Sequence, residues 1–228
     1  MKSLLHVLNG YETKRKRLLK KVPTGPLKDY LSVPFPKPSQ LIESQKIIAL
    51  DFETTGLDAQ QDRLLSVGFV NLQNNHIKLS TTHHQIIRSE DDLKADNVII
   101  HQITDDAKDA GDALAEVIPT LLERLAGNVM LAHFRRIESQ FLNAACEVLY
   151  GYPCVCPIID TLEIEKSRLD MRDVAYDPSE LRLSNLRTKY GLPNHKAHNA
   201  LTDAIATAEL FLAQQAHYKF HHLKQVLP

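Results

Sequence analysis

The run Lys46-Ile-Ile-Ala-Leu-Asp51-Phe-Glu53-Thr-Thr-Gly-Leu-Asp58 sets the architecture of this chain. Ile47 to Leu50 is apolar and of strand length, which predicts a buried strand. Side chains alternate across a strand, so Asp51 and Glu53 project from the same face at its end. Two carboxylates held together repel each other and lose hydration. A divalent cation relieves both problems, and Mg²⁺ and Mn²⁺ favour oxygen ligands. Taken alone, Asp-x-Glu is common and equally fits a solvated strand end capped by acids.

Downstream, Leu64 to Asn71 predicts a second strand, and Asn74-Asn75 a hairpin turn into a third from His76 to about Arg88. Leu114, Val117, Ile118, Leu121, Leu122 and Leu125 recur at helical spacing within Asp112 to Ala126. Val129 to Ala132 is a short buried strand, Arg136 to Leu149 a helix, and Pro157 to Asp160 a fifth strand. Two C-terminal helices follow, at about 183–190 and 199–216. A hairpin-linked set of strands followed by strands that need helical crossovers implies a mixed sheet with helices on its faces, an α/β domain.

Upstream, the texture changes. Residues 1–40 hold nine Lys/Arg against two acids, a net +7, and the remainder of the −1 chain therefore carries −8. Residues 3–21 predict a basic helix with Leu4, Leu5, Leu8, Leu18 and Leu19 as its apolar contacts, broken at Val22-Pro-Thr-Gly-Pro26. The stretch to Gln40, with Pro34, Pro36 and Pro38, is expected to be extended and packed along the main domain. An acidic body suits a polyanionic ligand only where cations mediate the contact. The apolar fraction of 43% and charged fraction of 24% are those of a soluble globular protein. No apolar run approaches the roughly 18 residues of a membrane span, and the N-terminal apolar stretch is too short for a signal peptide. These features point to a cytoplasmic protein with no membrane partner. Cys146, Cys154 and Cys156 have neither disulfide nor zinc-ribbon spacing and are expected to be idle thiols.

Asp51-Phe-Glu-Thr-Thr-Gly-Leu-Asp58 resembles the first motif of the DEDDh exonucleases, the family that includes the proofreading subunit of bacterial replicative polymerase, ribonuclease T and oligoribonuclease. Asp62 to Gly68 is similar to the family's second strand, His101-Gln-Ile-Thr104 to its His-x-Ile-Thr element, and Asp160-Thr-Leu162 to the strand–helix junction after motif two. His198-Asn-Ala-Leu-Thr-Asp203 matches the third motif, His-x-x-x-x-Asp. On an ideal helix that pair would lie about 140° apart, so His198 is placed on the loop entering the helix. The resemblance covers about residues 41–217, leaving 1–40 and 218–228 as an appendage and a tail.

The resemblance implies a ribonuclease-H-like fold, two divalent cations (Mg²⁺ or Mn²⁺), and attack by water on the terminal phosphodiester of DNA or RNA at its 3′ end. It assigns Asp51, Glu53 and Asp203 as metal ligands and His198 as general base, with Thr54 and Leu57 contacting the terminal nucleotide. A protein partner such as a polymerase is compatible with it. The second motif departs from the family: Glu138 falls where an aspartate is usual, following His133 and preceding Phe141-Leu142. Glutamate keeps the charge and adds one methylene, and Glu138 is expected to face Asp51 and Glu53 as a fourth ligand. Arg135 and Arg136 are candidates to hold substrate phosphate. The alternative to an active 3′→5′ exonuclease is an impaired member that binds nucleic-acid ends or a partner.

Overall fold

In the computed structural model, residues 5–88, 103 and 109–227 are described, with side chains from residue 10 onward. His101, Gln102 and Thr104 lie outside the described residues, as do Leu4 and the side chains of Leu5 and Leu8. Helices α1 (Leu5–Leu19) and α2 (Pro26–Ser32) precede strands β1 (Ile47–Thr54), β2 (Leu64–Gln73) and β3 (His76–Ile86). Then follow α3 (Leu114–Leu125), β4 (Val129–Ala132), α4 (Arg136–Tyr150), β5 (Ile158–Asp160), α5 (Thr161–Met171), α6 (Leu183–Lys189) and α7 (Ala200–Tyr218).

The strands form one mixed sheet in the order β3-β2-β1-β4-β5. β1, β2 and β3 pair antiparallel, and β4 joins β1 and β5 in parallel. Asn74 and Asn75 both take positive φ, 52° and 57°, as a two-residue turn needs to match the twist of its strands. One face of the sheet packs on α2, α3 and α4 through residues such as Leu31, Leu122, Phe141 and Met130. The other packs on α7, where Ala208 and Phe211 meet Ala49, Val70 and Leu131. β1, covered on both faces, is almost wholly buried, which is why its run reads as continuously apolar.

One expectation is corrected. Residues 26–32 are helical rather than extended, because Pro26 stands at the first helical position, where a missing N–H costs nothing. Helix α5 follows β5 directly, at the strand–helix junction that the resemblance implies for Asp160-Thr-Leu162, and is capped by the Asp160 side chain, which accepts from the Leu162 amide. Its apolar periodicity is weak because two of its buried positions, Thr161 and Glu165, are polar.

The N-terminal segment is fastened to the sheet. Val22, Leu27, Tyr30, Leu31 and Phe35 belong to the same core as α3 and α4. Tyr30 donates its hydroxyl to the Val155 carbonyl at 2.8 Å. Buried Arg15 pairs with Glu12 at 2.6 Å and donates to the Leu31 carbonyl. At the other end Phe220, Leu223, Val226 and Leu227 pack on Ile42, and the Ile42 amide donates to the His221 carbonyl at 2.8 Å. The three cysteines are free and buried. Among the described residues, no helix is long and apolar enough to cross a membrane.

Candidate active site

The site is assembled at the end of the central strand. Asp51 and Glu53 leave β1 on one face, opposite Gly68 and Ser66 of β2, and the register shifts just beyond, between Glu53 and Thr54. Such irregularities are over-represented beside functional sites, where they end pairing and re-aim side chains. Gly68 has a second role. A methyl group there would overlap the Leu201 amide nitrogen and the Ala200 carbonyl carbon. The first turn of α7 can therefore lie directly on the sheet beside Asp51. That close approach brings Asp203, in the first turn of α7, to the two β1 carboxylates. Asp51, Glu53 and Asp203 each offer an oxygen within 4.8 Å of the others.

Glu138 sits in the first turn of α4 and is 2% exposed. It is not one of the three carboxylates that meet within 4.8 Å, yet its charge acts on Asp51. Burial holds the Asp51 carboxyl well above its usual range, and the charges of Glu138, Asp203 and Glu53 push it further. Burial likewise raises Glu138 to about 8, with the Asp160 charge adding to the effect. Its Oε2 is buried and has no hydrogen-bond partner among the described residues. An orphaned buried carboxylate oxygen beside three converging carboxylates is costly unless a cation or a proton satisfies it. The donors are all oxygens, which suits a hard divalent cation.

The turn that leads into α4, and so to Glu138, is pinned by Asp160. Its carboxylate accepts from the amides of Phe134 at 2.9 Å and Arg135 at 3.1 Å, as well as from Leu162. This joins the end of β5 to the turn between β4 and α4. His133, on the same turn, meets the Thr161 hydroxyl at 2.8 Å, and burial lowers its pKa to about 4.

His198 lies on the loop entering α7, one residue before the N-cap Asn199, in the left-handed region at φ 67°. Its backbone amide donates to Asp203 Oδ2 at 2.8 Å, and its side chain is exposed. His195, not among the residues the sequence singles out, also reaches the site. Its Nε2 lies 2.9 Å from Asp203 Oδ1, and the side chain is only 9% exposed. The loop is anchored by buried Arg187, which donates to the carbonyls of Ala206 at 2.8 Å and Pro193 at 2.9 Å. His195 carried no sequence signal of its own, being one of two histidines three apart. Gly68 did carry one, since glycine inside an apolar strand marks a close backbone approach.

The four proposed substrate contacts fall in different places. Thr54 is buried, and its hydroxyl donates to the Gly56 carbonyl at 2.6 Å, so it shapes the turn after β1. Leu57 is 73% exposed. It shares a cleft of about 700 Å³ with Arg136. Arg135 points elsewhere, into a groove beside α1, and donates to the Tyr11 hydroxyl at 3.1 Å.

A mixed five-stranded sheet with acids gathered at the end of its central strand defines a ribonuclease-H-like nuclease fold. Residues 48–211 match the RNase T exonuclease family, and the chain belongs to that family, as a DEDDh-type member. It is 30% identical over 179 residues to the DNA polymerase III subunit epsilon of Treponema pallidum, covering 78% of each chain. It is 32% identical over 170 residues to the PolC-type DNA polymerase III of Thermotoga petrophila, where 75% of this chain spans 12% of that protein's length. Among solved structures, Escherichia coli Exonuclease I with a dT13 oligonucleotide superimposes with a TM-score of 0.65 at 15% identity, over 77% of this chain and 42% of that one. Cell-death related nuclease 4 does so with a TM-score of 0.65 at 16% identity, over 78% and 66%. At these identities the likeness is one of fold.

Proposed function

We propose that this protein is a 3′→5′ exonuclease that hydrolyses the terminal phosphodiester of DNA, with residues 41–217 as the catalytic unit. The observation that carries this is the convergence of Asp51, Glu53 and Asp203 within 4.8 Å, reached from two separate elements. The relatedness to DNA polymerase III proteins favours DNA as the substrate.

Asp51, Glu53 and Asp203 would hold divalent cations, Mg²⁺ or Mn²⁺, with Glu138 as a fourth ligand. When bound, two such cations would supply positive charge to the scissile phosphate and to the attacking and leaving oxygens. His198, exposed on the loop entering α7, takes the proton from the attacking water as general base. His195 holds Asp203 in place through its Oδ1 contact. Leu57 and Arg136 meet the terminal nucleotide from the neighbouring cleft, and Thr54 keeps the turn that presents Leu57 in shape.

The test is hydrolysis of a 5′-labelled single-stranded DNA in Mg²⁺ or Mn²⁺. We expect a ladder shortening from the 3′ end, abolished by EDTA and by Asp51→Asn. Full activity after thorough chelation, or products that shorten from the 5′ end, would overturn the proposal.

A further inference from the structure

Helix α1 sorts its cations into two sets. Arg15 and Lys16 both pair with Glu12, at 2.6 and 3.7 Å, and Arg15 is buried against the Leu31 carbonyl. Arg15 thereby fastens the helix, and Lys16 is paired within it. Lys14 and Arg17 are exposed and make no ion pair among the described residues. Three residues apart, they share a helix face.

That face forms a wall of a groove of about 450 Å³ between α1 and α4. The groove follows α4 back to Arg135 at its N-terminal end, one turn before Glu138. The Tyr11–Arg135 hydrogen bond ties α1 to that end. No acid occurs among the described lining residues. A groove lined by one sign of charge draws ligands of the opposite sign, here an anion. Between the cations the lining is apolar, with Leu18 and Leu142. Cations beside an apolar surface suit a strand that offers both phosphates and unpaired bases, whereas a duplex offers its phosphates with the bases stacked away.

We propose that this groove binds single-stranded DNA on the 5′ side of the nucleotide being removed, with Lys14, Arg17 and Arg135 on successive phosphates. The proposal rests on the exonuclease function proposed above. Lys14 and Arg17 precede the segment matched to the family, residues 48–211, so the groove is an addition of this chain to the shared fold.

The experiment compares the native protein with a Lys14→Ala/Arg17→Ala double variant, both exposed positions, after circular dichroism confirms the fold. Binding of dT20 and rU20 is titrated in Ca²⁺ over a range of salt, and hydrolysis of dT20 and of a dinucleotide is timed in Mn²⁺. We expect dT20 affinity to fall roughly tenfold and the slope of log affinity against log salt to flatten by about 1.4, for two lost contacts at about 0.7 each on a single strand. Dinucleotide hydrolysis should be unchanged, because it does not reach the groove. Unchanged dT20 affinity and slope would overturn the proposal, as would an equal loss on the dinucleotide. A loss confined to rU20 would overturn the assignment to DNA. If the native protein cleaves neither substrate, the exonuclease function fails, and the binding titration still decides the groove.

Discussion

Gly68 of β2 and Leu201 of α7 approach so closely that the Leu201 amide nitrogen occupies the space a side chain at position 68 would need. The contact is backbone on backbone, so no flexible side-chain end can yield. Gly68→Ala must push the first turn of α7 off the sheet, carrying Asp203 away from Asp51. Overpacking of this kind costs about 1–3 kcal/mol. We expect a lower melting temperature and, beyond it, a loss of Mn²⁺ binding by calorimetry in protein that is still folded. A variant with native metal affinity would show that α7 does not set the position of Asp203.

The two histidines near Asp203 are predicted to fail in different ways. The His195 ring touches the carboxylate, and His198 donates to it from its backbone amide. Loss of a group that orients a metal ligand typically costs 10–100-fold in metal affinity or activity. His195→Ala should therefore raise the Mn²⁺ concentration for half-maximal activity by roughly that range, with His195→Gln partly restoring it. His198→Ala should leave that concentration unchanged and lower the rate at saturating Mn²⁺ by roughly 10²–10⁴-fold. Titrations of rate against Mn²⁺ separate the two, and identical curves would refute the division of roles.

Glu138 makes the metal-free protein sensitive to pH. Burial raises its carboxyl from 4.5 to about 8 in the folded state. Between those values the folded protein binds a proton that the unfolded chain has released, so its contribution to stability falls as pH rises through the window. Asp51, also raised, acts in the same direction. Glu138→Gln removes the effect at that position. The melting temperature of the chelated variant should therefore gain on that of the native protein from about pH 5 to about pH 8. Parallel melting curves across that window would show that Glu138 is not held in a charge-averse site.

Glu138→Gln should also nearly abolish hydrolysis, since it keeps the shape and removes the charge. Mg²⁺ demands tight octahedral geometry at about 2.0–2.1 Å. A carboxylate reaching forward by one extra methylene meets that demand less readily. Mn²⁺ is therefore expected to support native activity at least as well as Mg²⁺, measured as initial rate at saturating metal. A strong preference for Mg²⁺ would argue that Glu138 is not a ligand.

What the sequence determined by itself is what local geometry controls. The i, i+2 spacing of Asp51 and Glu53 puts both carboxylates on one face of a strand, whatever surrounds it. Apolar periodicity located β1, β2, α3, β4, α4 and α7, and Asn74-Asn75 located the hairpin, because strand, helix and turn are set by a few neighbouring residues. It also placed His198 on the loop before α7, because the resemblance makes His198 and Asp203 act together while a helix would set them about 140° apart. Where a local signal was ambiguous it misled: Pro26 marks a break but also a helix start, and α5 hides its buried face behind Thr161 and Glu165. Only the tertiary structure decided how the segments meet. The contact of His195 with Asp203 depends on a loop anchored by Arg187, and that of Asp203 with Asp51 on Gly68 yielding to α7. The groove between α1 and α4 depends on Arg15 and Tyr30 docking a segment whose sequence shows only that it is basic. These are packing relations between residues far apart in the chain, and no spacing along the sequence encodes them.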